Sequence, residues 1–144
     1  MPDLHMERDF PLSPEALFAW VTDPVKLLSW WGPEGIYVSG SAPDFTRVGP
    51  WQSVMTNGVD LTVQVSGHVT HVTPPKSVGL TWAWHDVDGR RGQESHVTFT
   101  VEPAPCGARL ILDHRDLTDD DSAADHKRGW ISTFAKLGKI IMGP

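Results

Sequence analysis

Cysteine is nearly absent from this sequence, and the ligand spacing of a metal site is absent too. Cys106 is the single cysteine, which excludes an intramolecular disulfide and a cysteine-rich metal site. It lies between Pro105 and Gly107 in a predicted turn, so we interpret it as an incidental thiol, not a nucleophile. His68 and His71 are three residues apart on one predicted strand, which places them on opposite faces. We therefore predict no metal site.

Basic clusters and long apolar runs are also missing. The formal net charge is −6, and no group of basic residues is larger than the pair Arg90-Arg91. Nucleic acids and anionic membranes are therefore unsuitable partners. No apolar segment approaches the ~20 residues that span a bilayer, and the amino terminus lacks a basic region followed by an apolar run. We expect a cytoplasmic protein without membrane insertion.

Motifs for nucleotide cofactors and for hydrolytic nucleophiles are absent as well. The sequence contains no P-loop, no dinucleotide fingerprint and no Gly-x-Ser-x-Gly elbow. We therefore assign no cofactor and no catalytic residue.

Tryptophan is abundant: the sequence has seven, against one tyrosine. Tryptophan buries a large apolar area and carries a single hydrogen-bond donor. So many large rings indicate either a small core filled with them or a cavity lined by them, and the composition leaves both readings open.

One long helix is predicted at the carboxyl end of the sequence. Trp130, Phe134, Leu137 and Ile141 follow one another at helical spacing and form a single apolar stripe. Thr118, which precedes three aspartates, is the expected N-cap. A helix of about 24 residues, ending at Met142, would be about 36 Å long and needs an apolar surface to lie against.

The rest of the sequence predicts the sheet that supplies this surface. A strand over residues 3–10 is followed by a helix over residues 14–22 with Ser13 as its N-cap, and by a short helix over residues 24–29. Alternating apolar residues then predict strands at residues 36–39, 51–55, 61–72, 78–84, 97–101 and around 110–112, with Asn57-Gly58 as a hairpin turn. The fold class is α+β, with a curved antiparallel sheet of about six to seven strands wrapped around the long helix.

Several sequence blocks resemble a known family. Residues 18–24 (FAWVTDP) and 30–33 (WWGP) resemble the first helical block of the START-like (helix-grip, SRPBCC) superfamily, in its heat-shock-protein-90 ATPase activator-like branch. Further matches are residues 67–69, 72–75, 80–82, 95–99, 102–103, 109–114 and 129–130. The resemblance covers nearly the whole chain. It implies one START-like domain over residues 1–144, with a cavity between the sheet and the long helix.

The resemblance leaves several functions open. Members of the superfamily bind lipids, hormones or polyketides, some cyclise aromatic polyketides, and one branch stimulates a chaperone's ATPase. Our leading hypothesis is non-catalytic binding of an apolar or aromatic small molecule. One alternative is a chaperone-activating interaction protein with a role in the stress response, although the chain has no room for the extra N-terminal domain of the eukaryotic co-chaperone. The other is a cyclase or hydrolase that uses His114. An exposed sheet edge leaves a homodimer open.

The candidate ligand-binding residues lie on the expected concave side of the sheet, on the long helix and at the turn after the short helix. They are Trp31, Trp51, Ser53, Met55, Val69, Trp82, Ser95, Val97, Phe99, Leu112, His114, Trp130, Phe134 and Leu137. Val63, Val65, Leu80 and Leu110 share the concave side.

For the aliphatic residues of this set, a plain core role is the better interpretation. For Trp31, Trp51, Trp82 and Phe134, core and cavity wall are equally good interpretations. Trp30 and Trp31 are expected to close one end of the cavity. Ser53, Ser95 and His114 would orient a ligand, although His114 is better interpreted as a core histidine bonded to a loop than as a catalyst.

Overall fold

The computed structural model describes residues 3–143 of the chain. This region contains seven strands and three helices. In chain order they are β1 (Leu4–Phe10), α1 (Pro14–Thr22), α2 (Pro24–Trp30), β2 (Tyr37–Ser39), β3 (Gly49–Thr56), β4 (Thr62–Thr73), β5 (Ser77–Trp84), β6 (Ser95–Ala104), β7 (Gly107–Arg115) and α3 (Asp120–Met142). The predicted α+β class and element order are confirmed. Among the helices of this region, none combines the length and apolar character that crossing a bilayer requires.

The strands form one curved antiparallel sheet in the order β1-β7-β6-β5-β4-β3-β2. Every strand from β2 to β7 pairs with its sequence neighbour, and β1 completes the sheet by pairing with β7. Alternate residues of each strand therefore face one concave side, against which α3 lies. The long helix closes the sheet because the apolar face of neither element can remain exposed to water.

The two short helices share one capping residue. Ser13 accepts a hydrogen bond from the backbone N–H of Ala16 and begins α1, with Pro14 in the first helical turn. Asp23 ends α1 and also begins α2, where its carboxylate accepts from the N–H of Val25 at 2.9 Å. The predicted break at Asp23-Pro24 is thus confirmed, and α2 continues through Trp30.

The N-cap of the long helix lies one residue later than predicted. Asp119, not Thr118, is the N-cap, and its carboxylate accepts from the N–H of Ser122 at 2.8 Å. Asp120 and Asp121 then occupy the first turn, where the helix dipole favours negative charge. The prediction of Thr118 as cap was wrong because four consecutive polar residues could each fill that position.

Arg8 interrupts the apolar pattern of β1 for a structural reason. It lies half-buried on the inner face, where its guanidinium donates to the backbone carbonyl of Phe134 at 3.2 Å. Gly138 of α3 makes room for it, since a Cβ there would collide with the guanidinium. The arginine therefore ties the first strand to the last helix.

The loop between β3 and β4 is wider than the predicted Asn57-Gly58 turn. It contains residues 57–61, and the side-chain oxygen of Asn57 accepts from the N–H groups of Val59, Asp60 and Leu61. Leu61, which was predicted as the first residue of the next strand, consequently lies in the loop and is exposed. An asparagine that accepts several local N–H groups stabilises a longer loop than the tight turn its sequence suggests.

Candidate functional site

An open cavity of about 410 Å³ separates α3 from one end of the sheet. Three segments supply its walls. They are the turn after α2 (Trp31, Gly32 and Pro33), the sheet (Met55, Val63, Trp82 and Trp84), and α3 (Asp125, His126, Gly129, Trp130 and Thr133). The five helix residues recur at spacings of three and four, so they form one face of α3.

Trp82 is the centre of an aromatic cluster that forms much of this wall. Its ring centroid lies 5.9 Å from that of Trp31, 5.5 Å from that of Trp84 and 5.3 Å from that of Trp130. Trp51 packs against it from behind, at 5.5 Å. The tryptophans therefore serve both roles that composition left open, because their rings pack against one another and also border the empty space.

A buried chain of hydrogen bonds lies behind this wall. The indole N–H of Trp130 donates to Nδ1 of His114 at 3.1 Å, and Nε2 of His114 lies 2.8 Å from Oγ of Ser95. Because indole is a donor only, Nδ1 must carry no proton, and Nε2–H therefore donates to Ser95. The Ser95 hydroxyl in turn donates to the carbonyl of Trp82 at 3.3 Å.

His114 is consequently a neutral structural residue. Burial, followed in size by the electrostatic effects of the neighbouring histidines His126 and His96, lowers its pKa to about 3. It bonds to Ser95 and Trp130, two side chains of the core, and not to a loop as predicted.

A second histidine–tryptophan pair lies at the cavity. The indole N–H of Trp84 donates to Nε2 of His126 at 2.9 Å, and Nδ1–H of His126 donates to the carbonyl of Ser122 at 2.7 Å. The His126 ring centroid lies 4.9 Å from that of His114. Sequence reasoning missed His126, although it precedes Trp130 by four residues and therefore lies on the same helical face.

The structure divides the candidate ligand-binding residues into two groups. Trp31, Met55, Trp82 and Trp130 line the cavity. The others are buried in the surrounding core, away from its lining: Trp51, Ser53, Val69, Ser95, Val97, Phe99, Leu112, His114, Phe134 and Leu137. Residues that line the cavity and were not among the candidates are Gly32, Pro33, Val63, Trp84, Asp125, His126, Gly129 and Thr133; Val63 was predicted on the concave side.

Trp30 does not close the cavity. It is fully buried, and its indole N–H donates to the carbonyl of Trp20 at 2.9 Å. Trp31 forms part of the wall itself, where its ring and that of Trp130 form a T-shaped pair. Adjacent residues at the end of a helix point in different directions, so the pair could not act together as the sequence suggested.

Three buried polar groups lack hydrogen-bond partners within residues 3–143. They are the indole N–H groups of Trp31 and Trp82 and the hydroxyl of Ser53. The same region contains no group of three or more side chains arranged to hold a metal ion.

An antiparallel sheet curved around a long C-terminal helix, with a cavity between them, defines a START-like, helix-grip protein. Residues 11–142 match the family model described as Activator of Hsp90 ATPase homolog 1-like protein, and the chain belongs to this family.

Solved structures agree with this assignment. The AHSA1 protein from Silicibacter pomeroyi is 59% identical over 98% of both chains, with a TM-score of 0.93. A protein from Chromobacterium violaceum is 20% identical over 99% of both chains, with a TM-score of 0.83. DynU16, from the dynemicin biosynthetic locus, is 20% identical over 95% of this chain and 46% of its own, with a TM-score of 0.74. The last two show the fold alone. No match was found among curated proteins.

Proposed function

We propose that this protein binds an apolar or aromatic small molecule in the cavity between its sheet and α3, without catalysing a reaction on it. The observation that carries the proposal is the cavity itself, about 410 Å³ in volume and bordered by Trp31, Trp82, Trp84 and Trp130. Small-molecule sites are concave, mostly apolar and of this size. Membership in a superfamily that binds hydrophobic ligands supports the same conclusion.

The histidines near the cavity support binding over catalysis. A general base works best when its pKa lies near the working pH, whereas the pKa of His114 is about 3. Its Nδ1 already accepts from Trp130, and its Nε2–H donates to Ser95, so it cannot remove the serine proton in this arrangement. A Ser95–His114 pair that activates a nucleophile is therefore disfavoured, and with it a cyclase or hydrolase that depends on His114.

Native mass spectrometry of the purified protein is the first test, followed by denaturation and extraction of any bound small molecule. A co-purified apolar compound would support the proposal and identify the chemical class. The second test is a panel of apolar and aromatic probes, followed by tryptophan fluorescence and by the melting temperature. If no probe quenches the fluorescence or raises the melting temperature, the binding proposal fails.

A substitution that fills the cavity separates binding in it from binding elsewhere. Gly129 lines the cavity, and a Cβ there would meet only Pro33, at 3.8 Å. Gly129→Leu should therefore fold, place its side chain in the cavity and abolish probe binding. Lys127→Leu is the matched control, because it adds the same side chain to an exposed position of α3. Equal probe binding by both variants would place the ligand outside this cavity.

The family description favours a second candidate function, activation of a chaperone's ATPase. The cytoplasmic location and the role in the stress response that we expect from the sequence belong to this second proposal. The test is an ATPase assay with the chaperone from the same organism. Stimulation that increases with the concentration of this protein would support it. If a saturating concentration of this protein does not stimulate the ATPase, chaperone activation is rejected.

A further inference from the structure

The side chains of the cavity wall have no free hydrogen-bond donor to offer a ligand. The indole N–H groups of Trp84 and Trp130 donate to His126 and His114. The hydroxyl of Thr133 donates to the backbone carbonyl four residues before it, at 2.8 Å. His126 uses its own N–H on a helix carbonyl. Each of these donors is therefore already occupied.

The N–H groups of the two remaining indoles of the wall, those of Trp31 and Trp82, are inaccessible to a ligand because they are buried. The Nε1 atoms of Trp31 and Trp82 have no partner within residues 3–143, and they are also buried without exposed surface. Each ring therefore presents carbon to the cavity, while its nitrogen edge is enclosed by the core. The π face of an indole is the negative pole of its quadrupole, and the withheld N–H edge is the positive one.

The charged side chain of the cavity wall is negative, like the π faces of the indoles. Among the described residues, no lysine or arginine lines the cavity, and Asp125 is its one acidic side chain. Asp125 is exposed and pairs with Arg128, which lies outside the cavity lining. An anionic ligand would therefore meet a carboxylate and no side-chain donor, and burying a charge without a partner is costly.

We infer that the ligand of this cavity is an organic cation, an amine or quaternary ammonium group carried on an apolar body. The inference rests on the proposed function and specifies the ligand class of the same site. Four tryptophans border this one space (Trp31, Trp82, Trp84 and Trp130), and indole is the side chain that attracts an ammonium group most strongly by cation–π interaction. Asp125 at the wall adds a charge of the opposite sign.

Two probes of equal shape test the charge. Benzyltrimethylammonium is the cation, and neopentylbenzene is its neutral counterpart, with a carbon atom in place of the nitrogen. Binding to the full chain is measured by tryptophan fluorescence and by calorimetry at one ionic strength. We expect the cation to bind about tenfold more tightly, which lies between the effect of an exposed and that of a desolvated cation–π contact.

Asp125→Asn tests the carboxylate, with Asp121→Asn as the matched control. Both acids belong to α3 and both substitutions remove one negative charge, but Asp121 is not part of the cavity lining. We expect Asp125→Asn to weaken binding of the cation severalfold and to leave the neutral probe unaffected. Asp121→Asn should leave the binding of both probes unchanged.

The outcomes separate this inference from the proposed function. Tighter binding of the neutral probe, or equal binding of the two, overturns the cationic class while apolar binding stands. If neither probe binds but another member of the apolar panel does, the inference is again overturned and the proposed function survives. If the whole panel fails to bind, both are wrong. An equal effect of the two aspartate substitutions would remove Asp125 from the site.

Discussion

The indole N–H of Trp130 donates to Nδ1 of His114 at 3.1 Å and so joins the middle of α3 to the end of β7. The bond is fully buried, and it fixes the tautomer of the histidine. Because apolar packing is non-directional, this bond acts together with those from Arg8 to the Phe134 carbonyl and from Trp84 to His126 to define how far along the sheet the helix lies. The position of the cavity depends on that register.

His114 makes the free energy of unfolding depend on pH. Its pKa is about 3 in the folded protein and close to 6.5 when the chain is unfolded. Between these values the unfolded chain binds the additional proton, so stability falls as the pH is lowered from 6.5 towards 3. The full contribution of the neutral histidine is present above pH 6.5. We expect its share of the slope to approach about 1.4 kcal/mol per pH unit.

His114→Gln removes this titration, and His68→Gln is its control at an exposed histidine. Urea unfolding between pH 7.5 and pH 4 should give a flatter stability profile for His114→Gln than for wild type. His68→Gln should keep the wild-type profile. An unchanged slope in His114→Gln would show that His114 is not the titrating group.

Two buried serines should respond oppositely to alanine. Ser95→Ala leaves the Nε2–H of His114 buried without its acceptor, which should lower the free energy of unfolding by about 1–3 kcal/mol. The hydroxyl of Ser53 is buried without a partner within residues 3–143, so Ser53→Ala should be neutral or stabilising. Denaturant midpoints measure both. An equal decrease in the free energy of unfolding for both variants would mean that the Ser95–His114 hydrogen bond contributes nothing beyond packing.

Gly67 is required by the close approach of another strand. A Cβ at this position would collide with the backbone carbonyl of Thr81, which cannot rotate away. Gly67→Ala should therefore cost about 1–3 kcal/mol through the backbone shift it forces. At Gly92 the nearest atom, the carbonyl oxygen of Trp84, is 3.4 Å from the added carbon, so Gly92→Ala should change stability by less than about 0.5 kcal/mol. Thermal unfolding of the pair checks the difference.

Alanine substitutions of two adjacent residues, Thr118 and Asp119, identify the N-cap of α3. Asp119→Ala removes the acceptor of the Ser122 N–H and should cost about 0.5–2 kcal/mol. Thr118→Ala changes an exposed residue outside the helix and should have a much smaller effect. Chemical denaturation decides between them. A larger loss for Thr118→Ala would restore the threonine as the cap.

The sequence was most informative where a regular period continued over many residues. The stripe through Trp130, Phe134 and Leu137 predicted α3, and all three side chains are buried. Alternation likewise predicted the strands and their concave faces. Prediction was weaker at ends and loops, as at Thr118 and at Asn57, because several polar residues can each satisfy the same free backbone groups.

The candidate site was predicted only in part, for a related reason. Trp82 and Phe99 both face inward, yet only Trp82 borders the cavity. Alternation determines the face of a strand, but it carries no information on which part of that face is covered by α3 and which part remains open. His126 was missed because a polar residue within an amphipathic helix is ordinarily solvated, and its partner, Trp84, is 42 residues away.

The sequence by itself thus determined the elements, their order, the antiparallel sheet and the identity of the inward-facing residues, because these follow from local periodicity and backbone hydrogen bonding. Three properties were decided only by the tertiary structure: the position of the cavity, the inaccessibility of the indole N–H groups in its wall, and the neutral state of His114. These properties depend on sheet curvature, on side-chain volumes from distant segments and on burial, and each of them arises only when those segments pack together.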